Sequence, residues 1–117
     1  MYMVWFVLDQ KELLDNIQRA WEEVGITGAT IIESSGFFRR KKARKFIASR
    51  YIIPSLSDTQ VLGNYSIFSI VESEEMIQAA LEATEKVTGD LSLGHRGIFS
   101  AWPLMLVKGL RRRGDAQ

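Results

Sequence analysis

At 117 residues, with 46% apolar and 25% charged side chains, the chain is long enough for one core and too short for two domains. It carries a formal net charge of +1, one histidine and no cysteine. That composition excludes a disulfide framework, a thiolate zinc site, a cysteine nucleophile and a histidine-rich metal site. The amino-terminal MYMVWFVLDQ is apolar but lacks a basic lead and meets Asp9 early, too soon for a signal peptide or a membrane span, so a cytoplasmic protein is expected.

Taken in chain order, Tyr2 to Leu8 is an unbroken apolar run and predicts strand one. Asp9, with Glu12 as its capping-box partner, predicts the start of a helix over roughly residues 10–24. On that helix Leu13, Ile17, Trp21 and Val24 share a stripe, and Gly25 stands where a left-handed cap belongs. Thr27 to Ser35 and Tyr65 to Val71 read as strands two and three. Ser73 caps a second helix with Ile77, Ala80, Leu81, Thr84 and Val87 on its inner stripe, and strand four covers about residues 96–102 before Pro103. Strand, helix, strand, strand, helix, strand predicts an α+β fold, a ferredoxin-like βαββαβ sandwich with an antiparallel sheet and both helices on one face. Residues 1–117 form a single domain in this reading, with 36–64 a long loop between strands two and three and 103–117 a carboxy-terminal tail.

Strand one is apolar on both faces, yet two helices cover only one. Either other copies of the chain pack on the second face or the tail folds back over it; the shortness of Leu104 to Leu110 favours an oligomer.

Charge is just as unevenly placed. Eleven of the fifteen cations fall in two segments, GFFRRKKARKFIASR at 36–50 and Lys108 with Arg111, Arg112 and Arg113, while both helices are acidic. A solvated loop and an anion-binding surface explain such a run equally well on charge alone. About thirty residues between two hairpin strands, bearing Phe37, Phe38, Phe46, Ile47, Tyr51, Ile52, Ile53 and Leu56, favour a functional insertion that buries against a partner or ligand.

GITGATIIESSGFFR at 25–39 closely resembles GITGMTVTEVKGFGR, the segment by which PII-type nitrogen regulatory proteins pass from helix one through strand two into their T-loop. TGDLSLGHRGIF at 88–99 is similar to their B-loop pattern TGKIGDGKIF, and the second half of the chain resembles divergent PII-like proteins still more. The resemblance covers nearly the whole chain except the centre of the loop. It implies a non-enzymatic signalling homotrimer that binds an adenine nucleotide (ATP, ADP or AMP) or another small anionic effector in clefts between subunits. Its T-loop would then dock on a protein target such as a transporter or metabolic enzyme. Ligand contacts are expected at Thr30, Gly36, Phe37, Arg39, Arg40, Gly89, Gly94, His95, Arg96, Gly97 and Lys108, with no catalytic residue and no metal ligand. The glycines at 89, 94 and 97 would let backbone N–H groups approach phosphate oxygens, and Arg39, Arg40 and Arg96 would supply charge.

Departures from the pattern sharpen these expectations. Arg40 stands where the family has a glutamine that helps hold Mg-ATP with 2-oxoglutarate; a guanidinium has no acceptor and cannot ligate magnesium, so a different anion is expected. In the B-loop two residues are inserted and the family's lysine falls on Gly97, with Arg96 beside it as a substitute; of the two arginines expected near the carboxy terminus, one falls on Met105 and one on Lys108. Tyr51 is read as an ordinary loop aromatic, and Trp5, Trp21 and Trp102 as core or interface residues. A nucleic-acid binder is the alternative, because the sheet is ferredoxin-like and the loop basic. It lacks the aromatic RNA-binding motif on a central strand, and the acidic helices would repel phosphate. An acylphosphatase-type enzyme needs a phosphate cradle after strand one, where this chain enters its helix directly.

Overall fold

Alternate residues of an extended chain face opposite sides, and β1, Tyr2–Leu8, uses both. Val4, Phe6 and Leu8 are fully buried on one face, while Met3, Trp5 and Val7 are only partly covered on the other. The computed structural model describes residues 1–34 and 64–110, and within them the predicted element order holds.

The entry to the first helix departs from expectation. A 3-10 turn, Lys11–Leu13, comes first, closed by the Leu13 N–H donating to the Gln10 carbonyl at 2.9 Å, and α1 follows over Leu14–Glu23. Gln10 rather than Asp9 precedes that turn, and its side chain makes no capping bond, so the Asp9–Glu12 capping box is corrected. The chain leaves β1 and bends at once into the helix, and the tight turn closes a backbone hydrogen bond where a capping side chain would otherwise act. At the other end the expected glycine cap is present in full. Gly25 has φ +101°, its N–H donates to Glu22 O at 3.0 Å, and the Ile26 N–H donates to Trp21 O at 2.9 Å. This is the paired hydrogen-bond pattern of a Schellman motif, with Ile26 buried against the core.

β2 spans Thr30–Ser34 and β3 spans Asn64–Val71. Ser73 caps α2, Glu74–Thr88, accepting from the Met76 N–H at 3.2 Å as predicted. The buried stripe of α2 is Ala80, Ala83, Thr84 and Thr88, with Ile77 and Val87 half-buried beside it. A second 3-10 turn, Leu91–Leu93, leads into β4, Gly97–Pro103.

The strand order is β2-β3-β1-β4 with every neighbour antiparallel, which is the ferredoxin-like sandwich. Ile17 and Trp21 of α1 and Ala80 and Ala83 of α2 pack with Val4, Phe6, Leu8, Ile67 and Val71, so both helices cover one face of the sheet. Small residues on α2 let the helices approach closely enough for the Trp21 indole N–H to donate to Thr84 Oγ at 2.8 Å, while that hydroxyl donates to Ala80 O at 2.7 Å. Trp21→Phe removes the donor from this buried chain and is expected to cost about 2 kcal/mol. Urea denaturation tests it, and an unchanged midpoint would show that the bond contributes nothing.

Among the described residues no helix lies on the opposite face. Trp5 stacks on Phe68 with centroids 5.6 Å apart and planes 8° apart, and meets Trp102 edge-on at 6.3 Å. Met3, Val7, Ile32, Ile70 and Ile98 extend this apolar surface across all four strands by register. Leu104 hydrogen-bonds back to Met1 O at 2.9 Å, but the segment it begins does not shield the face: Ile98 stays 68% exposed and Leu106 85%. Nor is any helix among the described residues long and apolar enough to cross a membrane.

Candidate ligand groove and glycine loop

β2 was predicted to start at Thr27; it starts at Thr30, and the difference creates a groove. Thr30 pairs with Phe68, but β3 runs on through Ser69, Ile70 and Val71 with, among the described residues, only β1 beside it. Residues 25–29 swing away from that strand edge, tethered by the Ser69 hydroxyl donating to Gly28 O at 2.6 Å. Between them lies a groove of about 600 Å³, walled by Met3, Ile26, Phe68, Ile70, Met76 and Leu110, with Thr27, Thr30 and Glu72 among its polar groups. Its size and mixture of apolar walls with a few polar groups suit a small organic ligand.

The glycine loop, residues 89–97, lies at the other end of the sheet. Leu8, Ser34, Asn64 and Gly97 share that end, and Gly97 belongs to the edge strand away from β2. Thr88 closes α2 by donating to Thr84 O at 3.2 Å and to Gly89 O at 2.8 Å. Gly89 follows with φ +85°, and the Arg96 guanidinium folds over it, Nη1 donating to Thr88 O at 2.7 Å. A methyl group on Gly89 would come within 2.8 Å of that Nη1. Asp90 caps the 3-10 turn, accepting from the Ser92 N–H at 2.9 Å and the Ser92 hydroxyl at 2.7 Å. Those two bonds, chiefly that of the hydroxyl, hold the Asp90 carboxyl below its usual range, with Arg96 acting in the same direction.

The expected ligand residues thus fall in separate places. Thr30 lines the groove. Lys108 is exposed on the segment that brings Leu110 to it. Gly89, Gly94, His95, Arg96 and Gly97 form the glycine loop, where His95 is exposed with φ +59°. Gly36, Phe37, Arg39 and Arg40 lie outside the described residues. Within the loop, the N–H groups of Gly89 and Gly94 already donate to Glu85 O and Leu91 O, at 2.8 and 3.2 Å. Gly97 packs against the Phe6 ring and the Val7 carbonyl, so its smallness serves the sheet. Sequence reasoning did not find Phe68, Ile70 and Met76 as groove walls or Asp90 as the loop's acid, because a strand that outlasts its neighbour leaves no mark in periodicity. Among the described residues no three metal-ligating side chains converge.

At the root of the long loop the two chain ends are tied together. The Ser34 hydroxyl donates to Asn64 Oδ1 and lies 3.2 Å from Ser66 Oγ, while Lys11 pairs with Glu33 at 3.2 Å and sits over the Tyr65 ring. The loop therefore leaves and re-enters the fold at one braced point beside the sheet end that carries the glycine loop.

No protein-family model matches the chain. Among curated proteins it is similar to nitrogen regulatory protein P-II of Bradyrhizobium diazoefficiens, 28% identical over 87 residues that cover 74% of this chain and 71% of the relative. The Azospirillum brasilense protein of the same name is 26% identical with the same coverage, and that of Rhodospirillum rubrum is 24% identical over 106 residues, covering 88% of each chain. The chain is thus similar in sequence to P-II proteins along most of their length, and its four-stranded α+β sandwich is compatible with that likeness, which supports reading it as a divergent PII-like protein.

Proposed function

We propose that the protein is a non-enzymatic signal-transducing oligomer that binds an adenine nucleotide between subunits and reports its occupancy to a protein target through the basic loop at 36–64. The observation that carries this reading is the separation of the groove from the glycine loop. They occupy opposite ends and opposite edges of one sheet, so no single copy presents both to one small ligand. If the β4 edge of one copy meets the β2 edge of the next, the two half-sites face each other. Such a head-to-tail contact joins unlike surfaces and closes into a ring, for which the PII resemblance supplies the number three.

In this assembly the base would lie in the groove between the apolar walls and the unpaired edge of β3, where backbone groups can read its polar rim. Phosphate would lie toward the glycine loop, near Arg96, with Arg39 and Arg40 entering from the long loop. The uncovered sheet faces would meet around the ring axis. A buried Trp5 indole N–H, which finds no acceptor among the described residues, would gain one there.

Differential scanning fluorimetry with AMP, ADP, ATP, cyclic nucleotides and guanine counterparts tests the reading. One adenine nucleotide should raise the melting temperature, with about tenfold weaker binding in Arg96→Ala, the loss expected for one charge-assisted contact. No shift with any member of the panel overturns it. Binding to RNA or DNA that falls steeply with salt, in place of nucleotide binding, would establish a nucleic-acid protein instead.

A further inference from the structure

Arg96 does not stand free to receive a ligand. Its Nη1 is bonded to Thr88 O, and its guanidinium lies against Gly89, with Cζ 3.4 Å from where a β-carbon would be. The next residue is Asp90, and one turn back on α2 the Glu85 carboxylate accepts from the Leu91 N–H at 3.0 Å. Two carboxylates and one guanidinium therefore gather at this turn, these three groups summing to −1, while Lys86 lies exposed in the last turn of α2. Phosphate reaching for Arg96 finds Nη1 already engaged by a carbonyl and approaches a turn that carries both acids, and the repulsion grows with every further negative charge on the ligand.

We propose that Asp90, backed by Glu85, is the built-in counter-anion of Arg96 and sets phosphate number, making the site prefer a nucleotide of low charge, AMP, over ATP. This inference rests on the nucleotide reading above and adds the residue that selects among nucleotides. Asp90 touches no ligand in this scheme and acts through Arg96. The hydrogen bonds from Ser92 keep it ionised, so the counter-charge is present throughout the physiological range.

Asp90→Asn is the informative substitution, because an asparagine side-chain oxygen still accepts from Ser92 and keeps the turn capped while the charge is lost. Calorimetric titration of the wild-type protein with AMP and ATP should show tighter AMP binding. In Asp90→Asn the ratio of ATP to AMP affinity should rise about threefold to tenfold, the range for one nearby charge partly screened by salt. That rise should vanish when Arg96→Ala is added. An unchanged ratio, or a rise that persists without Arg96, overturns the proposal. If neither protein binds any nucleotide, the nucleotide reading fails and the counter-anion role is read from the loop alone. Phenylglyoxal should then modify Arg96, followed by mass spectrometry, about threefold faster in Asp90→Asn than in the wild type, because the carboxylate that attracts the guanidinium is gone. Equal rates would overturn the proposal in that case.

Discussion

Light scattering of the purified protein at micromolar concentration is expected to give about three times the chain mass of 13.3 kDa, and Ile98→Asp is expected to return it to one chain without unfolding it. Ile98 lies on the open face beside Val7 and is 68% exposed in a single copy, so the substitution removes little from the core. In the ring it would bury a carboxylate at each repeated contact, surrounded by Trp5, Phe68 and Trp102 chemistry that offers no partner charge. Truncations at such central aromatic contacts commonly cost 2 kcal/mol or more, and a buried charge costs more, so dissociation should strengthen by roughly a hundredfold or beyond. A well-resolved melting transition in Ile98→Asp separates loss of assembly from loss of fold. A wild-type protein that scatters as a monomer would overturn the intersubunit site as well as the ring, because one copy holds the groove and the glycine loop at opposite corners.

The uncovered face was legible in the sequence for a simple reason. Apolar residues on both alternations of β1 cannot be satisfied by two helices on one side, and Met3, Trp5 and Val7 are where the excess appears. Helix ends were legible wherever a side chain or glycine fixes a backbone bond locally, as at Ser73 and Gly25. Where the outcome depends on distant geometry, local signals failed. Asp9 and Glu12 form a reasonable capping pair by spacing, but the chain must turn out of β1 before a helix can begin, and a 3-10 turn occupies that space. Thr27 to Ala29 are acceptable strand residues, yet they leave β3 unpaired and build a groove wall. Arg96 read as an outstretched cation because nothing local shows that Thr88 O will hold it. The basic run at 36–50, the most conspicuous feature of the sequence, lies outside the described residues, and its role in ligand and target binding stands as a proposal.

Among the loop glycines, Gly97→Ala is expected to be the most damaging change, and for a reason unrelated to phosphate. Gly97 has φ +133°, a conformation that an L side chain rarely adopts, and it pairs with Leu8 at the start of β4. A β-carbon there would run into the Val7 carbonyl and lie 2.8 and 2.9 Å from two atoms of the Phe6 ring. Neither neighbour can yield cheaply. Val7 belongs to the central strand β1, and Phe6 is fully buried between that strand and the helices and packs on Phe99 at 6.4 Å. Overpacking a core costs about 1–3 kcal/mol and the unfavourable backbone region adds about 1–3, so a loss of about 2–6 kcal/mol is expected. That is a large part of the usual 5–15 kcal/mol for a domain of this kind. Gly94→Ala is the matched control: its φ is +80° with ψ 161°, but a β-carbon would meet nothing within 4 Å among the described residues, so only the backbone term applies and about 1–3 kcal/mol is expected. Chemical denaturation of the two variants beside the wild type measures both losses. Equal, small losses, with weakened nucleotide binding in Gly97→Ala alone, would instead assign Gly97 to the ligand and show that β4 can shift to admit a methyl group.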